Sequence, residues 1–228
     1  MKVDISIPMD SQIHSIVFLD HKLKEKRELL IILFEVCRYI LTQYPTRDRI
    51  TPYKNGYIHL LKGRVNRLYF VDTEHCYSIG FPFTISQDEQ GNITAFSADE
   101  ITLLPIIFVG VLQILKGDEW HSTEILDFAN PIDEWQSKQL SCLENQSVNY
   151  KMFWTFFRNM MMYDVGYIRH DHAPNQYNSE HPKDHPVDHI HGGYESGVSY
   201  RIGLTATPTI EDIKDITNSD TDCWMLSK

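Results

Sequence analysis

An α+β fold is predicted, with a central antiparallel sheet and a helical layer over it in a single domain spanning 1–228. Three observations predict it. A long apolar pattern at helical spacing comes early in the chain. Short β-branched and aromatic runs punctuated by turns follow, and two further strand-like runs precede a brief closing helix.

The stretch "HKLKEKRELLIILFEVCRYILTQYP" reads as the first helix, about 21 to 44. Asp20 is placed to cap it, and Pro45 lies just past its end. Its middle is apolar on several faces, which predicts deep burial. The period then changes. "GYIHLLKG", "RLYFVDT", "CYSIGFPFTISQ" and "NITAFS" alternate with turn chemistry, and "DEQGN" at 88–92 marks a hairpin. These runs predict a three- or four-stranded antiparallel meander over 56–96.

"SADE" at 97–100 has the form of a capping box, so a helix is expected over about 102–116. The run "ITLLPIIFVGVLQIL" inside it is shorter than the ~18–20 residues of a membrane span, which predicts a buried helix. Helices are also expected in "STEILDFA", "PIDEWQSKQLSCLEN" and "SVNYKMFWTFFRNMMMY". The Phe, Trp and Met stripe of the last reads as core filling, with Arg158 as a surface charge. "DVGYIRHDHAP" reads as a strand ending at Ala173-Pro174. "HIHGGYESGVSYRIGLT" supplies a second strand region, with a bend or bulge at Gly192 and Gly193. "TPTIEDIKDITNS" closes the chain as a helix, with Thr207 as cap, Pro208 in the first turn and Ile210, Ile213 and Ile216 inward.

The net charge of -10 argues against a broad basic face for duplex nucleic acid, although a cleft needs only a few local cations. Cys37, Cys76, Cys142 and Cys223 are far apart with no Cys-x-x-Cys spacing, and "MKVDISIPMDSQIH" has no apolar leader core. A cytoplasmic setting without membrane attachment is therefore expected.

Of the eleven histidines, six fall between 170 and 191, in "RHDH" and "HPKDHPVDHIHGG". On a strand, His170 and His172 share one face and Arg169 and Asp171 the other; His189 and His191 likewise share a face. If the two segments pair as an antiparallel ribbon, one register gathers four imidazoles: His170, His172, His189 and His191. Such a set suits a divalent metal such as zinc or manganese, with Asp171, His185 or Asp188 able to complete it. The alternative register places Arg169 and Asp171 beside His189 and His191. Either arrangement concentrates groups that bind metal or shuttle protons; without metal, two histidines can serve as base and acid across a phosphodiester, with Arg169 or Arg201 steadying the developing charge. A third reading is an ordinary polar loop whose histidines cap turns and bridge strands, the role expected of His181 and His185.

The pattern Arg169-x-Asp171-x-Ala173-Pro174, a loop, His185-Pro186-x-x-His189-x-His191-x-Gly193 and a terminal helix after "TPT" resembles small bacterial proteins of unknown function. It also resembles the TumE-type family of toxin-antitoxin systems. The likeness covers about 165–217; the position after Asp171, often asparagine in such families, is His172, and the loop is long. The resemblance implies a bacterial or phage-related toxin or defence protein with an antitoxin or complex subunit as partner.

The expected function is a phosphodiester hydrolase or nuclease-like activity on RNA, DNA or a nucleotide. His189 and His191 form its acid-base or ligand pair, Arg169 stabilises charge, and Asp171 orients an imidazole. The competing expectation is a non-catalytic binding subunit in which the histidines are structural.

Overall fold

Seven strands pair antiparallel throughout in one sheet, and three other strands form a second, smaller sheet. The computed structural model describes residues 2–19, 23, 25–43, 55–98, 101–117, 132–134, 150–181, 183–194 and 198–225. In chain order, β1 (Val3–Pro8), α1 (Ser11–Val17) and α2 (Lys26–Gln43) lead to β2 (Tyr57–Lys62), β3 (Arg67–Val71) and β4 (His75–Gly80). Then come β5 (Thr84–Gln87), β6 (Ile93–Ala98), β7 (Ile101–Thr102), α3 (Pro105–Lys116) and α4 (Tyr150–Met162). The chain continues through β8 (Ile168–His172), β9 (Asp188–Gly192), β10 (Tyr200–Leu204) and α5 (Ile210–Ile216). The fold is α+β, as the alternation of patterns predicts.

The chain divides into two compact units, one of Met1–Glu25, Arg49–Phe81 and Val165–Lys228, the other of Lys26–Asp48 and Pro82–Asp164. The first holds the large sheet, in the order β1-β2-β3-β4-β8-β9-β10. On one face Tyr69, Cys76 and Ile190 meet Ile213 of α5, with Ile210 and Ile216 packed at the margin. The Tyr69 hydroxyl and Thr217 Oγ1 lie 2.7 Å apart, tying the sheet to the end of that helix. On the other face Phe70 and Tyr77 pack 4.7 Å apart, and the Tyr77 hydroxyl donates to the Val17 carbonyl at 2.7 Å, fastening α1.

Asp10 caps α1 by accepting from the Ile13 N–H, and His14 of the same helix lies 3.3 Å from Asp72 in the β3–β4 turn. Burial acts to raise the Asp72 carboxyl. Hydrogen bonds from the His75 ring and from the backbone N–H groups of Glu74 and His75 outweigh it and hold the group at about 2. A depressed carboxylate contributes stability that is present above its unfolded value and lost as pH falls through its folded value. Asp72 should thus contribute about 2 kcal/mol at neutral pH, lost between about pH 4 and pH 2. Urea unfolding of wild type and Asp72→Asn should show a stability gap that closes over that window. A gap constant down to pH 2 would contradict the assignment.

In the second unit, β5, β6 and β7 form the small sheet, and Phe34 of α2 meets Phe83, Phe108 and Phe156 at ring separations of 5.7–6.2 Å. Buried Glu35 of α2 accepts from Lys116 of α3 at 2.6 Å and from Arg38 at 2.6 Å, which neutralises its charge. Phe153, Phe156, Phe157 and Met160 of α4 are buried and Arg158 is exposed, in keeping with the core reading of that stripe.

Several local expectations are corrected. The expected meander is three-stranded and ends at Gly80: of the runs over 56–96, β2, β3 and β4 lie in the large sheet, and "TISQ" and "NITAFS" belong to the small one. The break falls at Phe81-Pro82-Phe83, where Pro82 has no N–H to give to a ladder and both phenylalanines are fully buried. Ser97 is not a helix cap but a β6 residue opposite Thr84 and Thr102, and α3 starts at Pro105, with no side-chain cap. The first helix begins at Lys26; Asp20 lies outside the described residues, as do Glu100, 122–129 and most of 131–145. The closing helix is capped by Thr209, which forms a reciprocal box with Asp212, and not by Thr207. The run from His189 to Thr205 contains two strands, β9 and β10, and Gly193, just past β9, has φ +79, a left-handed conformation that suits glycine. β1 and α1 are additions to the expected elements, although Val3, Ile5 and Ile7 alternate with Asp4 and Ser6 at strand period. Among the described residues no helix is long and apolar enough to cross a membrane.

Candidate functional site

β8 and β9 run antiparallel, as the ribbon reading requires, in the register Arg169↔His191, His170↔Ile190, Asp171↔His189 and His172↔Asp188. Cross-strand partners share a face. Arg169, Asp171, His189 and His191 therefore gather on one side, and His170, His172 and Asp188 on the other. The four-imidazole set of His170, His172, His189 and His191 is corrected accordingly, because the sheet itself separates the two pairs. A slip of one residue would have joined them; hydrophobic Ile190, buried with Tyr69 and Ile213, holds the register that keeps them apart.

On the first face Asp171 is the hub. Arg169 grips it with two parallel bonds, Nε to Oδ1 at 2.5 Å and Nη2 to Oδ2 at 2.7 Å. Oδ2 also lies 3.4 Å from His191 Nε2 and 3.8 Å from His189 Nε2. One ligand atom from each of Asp171, His189 and His191 lies within 4.8 Å of the other two. Burial acts to raise the Asp171 carboxyl, but the Arg169 bonds and charge prevail and hold it below the ordinary range, so it is a carboxylate at neutral pH. Burial pushes the His189 imidazole down, opposed by the Pro186 carbonyl and Asp171.

The His189 tautomer follows from its partner. Nδ1 lies 3.0 Å from the Pro186 carbonyl oxygen, which only accepts, so Nδ1 carries the proton and Nε2 presents its lone pair toward Asp171. The loop that supplies Pro186 is held from β10. Arg201 donates to the Asp184 carbonyl at 2.8 Å, and Gly203 makes room for the Pro186 ring, which a Cβ there would approach to 2.7 Å. His185, expected to be a turn residue, has its ring edge-on against His189 with centroids 4.8 Å apart. His181 is exposed in a turn. "HPKDHPVD" is a loop up to Val187, as its prolines predict, with Asp188 opening β9; Pro182 lies outside the described residues.

A cavity of about 290 Å³ opens over this face. Its polar lining includes Arg169, Asp171, His75, His185, His189 and Gln176, and His172 borders it at the end of β8. Val17, Phe18, Leu19 and Leu23 supply an apolar wall, with Tyr77 and Tyr167 beside the charged cluster. The α1 wall, His75 and Tyr167 are not recognisable as site residues from sequence. The Val17–Leu23 segment and His75 are remote along the chain, so only strand order brings them to the site, and Tyr167, two residues before Arg169, carries no motif of its own.

On the opposite face Asp188 is fully engaged. Oδ1 receives His170 Nε2 and His172 Nδ1, each at 2.9 Å, and Oδ2 accepts from the Thr207 hydroxyl at 2.9 Å. Burial acts to raise the Asp188 carboxyl, and the His172, His170 and Thr207 bonds outweigh it and hold it below the ordinary range. This cluster joins the hairpin to the segment entering α5 and has the makings of a structural brace.

Compared with known protein-family models, with curated proteins and with solved structures, the chain matches none.

Proposed function

We propose that the Asp171–His189–His191 face is a hydrolytic site for a phosphodiester in RNA, DNA or a nucleotide. The observation that carries the reading is the convergence of one carboxylate and two imidazoles within 4.8 Å, on adjacent strands, beside a cavity. A water at that point would meet groups able to take its proton, and rigid strands hold them without reorganisation during reaction. Arg169 orients Asp171 through two of its five N–H groups and donates a third to the Tyr167 hydroxyl at 3.4 Å, leaving the others to meet a non-bridging phosphate oxygen. The likeness of 165–217 to the TumE-type family supports a toxin or defence setting in a cytoplasm, with an antitoxin as partner.

Purified protein should hydrolyse bis(p-nitrophenyl) phosphate or a short single-stranded RNA or DNA, and expression should slow growth of the host cell. No turnover on any of the three substrates, with or without added divalent metal, would overturn the reading. The alternative, a non-catalytic subunit with structural histidines, is favoured by one observation: His170 and His172 are both committed to Asp188. A stable complex with a partner protein and no turnover would support it.

A further inference from the structure

We infer that Asp171, His189 and His191 form a mononuclear site for a divalent transition metal, zinc foremost, with a coordination position open to the cavity. Bonds of ~2.1 Å arranged tetrahedrally place ligand atoms about 3.4 Å apart. His191 Nε2 and His189 Nε2 stand 3.4 and 3.8 Å from Asp171 Oδ2, so an ion needs adjustments of a few tenths of an ångström on these two edges, while the edge between the imidazoles, within 4.8 Å, closes by up to about 1.4 Å.

The surroundings of the ligands agree. Metal-binding histidines commonly donate their second ring nitrogen to a carbonyl or carboxylate, which fixes the tautomer; His189 does so to Pro186. Asp171 is held by Arg169 through one lone pair on each oxygen, and a carboxylate oxygen has two, so Oδ2 retains one for the ion. Two nitrogens and one oxygen, with a fourth position left for water, are the donor set of catalytic zinc. His170 and His172 are both held by Asp188; His172, at the end of β8, borders the cavity but is not part of the ligand cluster.

Charge points the same way. Asp171 neutralises Arg169, so the face has little net positive charge for an anionic substrate; a dication would supply it and lower the pKa of a bound water toward 7. This last step rests on the phosphodiester reading, whereas the ligand geometry does not.

The full chain, stripped with chelator and dialysed, should bind zinc at one ion per molecule by calorimetry and elemental analysis, and its melting temperature should rise on reloading. His189→Gln and His191→Gln should each abolish stoichiometric binding. Arg169→Gln, which removes only the support of Asp171, should weaken it by ~10–100-fold. His170→Gln and His172→Gln should bind as wild type does. Absence of stoichiometric binding, or binding lost with His172 and kept without His189, would overturn the inference. The two readings fail separately: a bound ion without turnover refutes only the hydrolase, and turnover that survives chelation refutes only the metal.

Discussion

His191→Ala should lower phosphodiester turnover by at least ~10²-fold, the scale of a lost acid-base group or metal ligand, while the melting temperature moves by no more than a few degrees. His191 sits toward the end of β9, its Nε2 3.4 Å from Asp171 and its ring 4.9 Å from that of His189. Its side chain is one-fifth exposed, so truncation opens little cavity in the core. Asp171 keeps its two bonds from Arg169 and is not left as an isolated buried charge. Function and stability are thus separable at this position. The check is turnover of wild type, His191→Ala and His172→Ala beside their thermal unfolding. Equal loss in both variants, or a collapse of folding in the first, would refute the role.

Asp188→Ala should do the reverse, costing about 3 kcal/mol of stability, or roughly 6–12 °C in melting temperature for a chain of this size. The carboxylate is 6% exposed and is the acceptor for His170, His172 and Thr207. Removing it leaves two ring N–H groups and a hydroxyl without that acceptor, one of them on buried His170. Thr207→Val removes one bond only and should cost about 1 kcal/mol. The brace also has a pH signature. The Asp188 carboxyl is depressed, so its contribution holds above the unfolded value of ~4 and fades as the medium is acidified below that. Denaturant titrations of the three proteins at pH 7 and pH 3 test both statements. A loss under ~1 kcal/mol at pH 7 would show that water replaces the carboxylate at no cost.

The two predictions concern residues that alternate along the same pair of strands, and they show how far local pattern reaches. Period-2 geometry is a property of any strand, so the division of "RHDH" and "DHIH" into two sets of faces is legible in the order of residues alone. The loop character of "HPKDHPVD" is legible too, because proline lacks an N–H for a ladder. So are the apolar helix before Lys116 and the aromatic helix before Met162, whose burial follows from composition.

Register is not legible in this way. Two pairings of β8 with β9 satisfy the same alternation and differ by one residue. The choice belongs to Ile190, which must reach Tyr69, Cys76 and Ile213 from distant parts of the chain. The caps fail for a related reason: "SADE" satisfies a local rule, yet Ser97 pairs with Thr84 and Thr102 in a sheet. Thr207, a plausible cap by spacing, instead donates to Asp188, nineteen positions away. Period, proline and burial propensity act within a few residues and can be read along the chain. The grouping of Arg169, Asp171, His189 and His191 over a cavity walled by α1 depends on which strands become neighbours, and that is settled by the burial of side chains far apart in sequence.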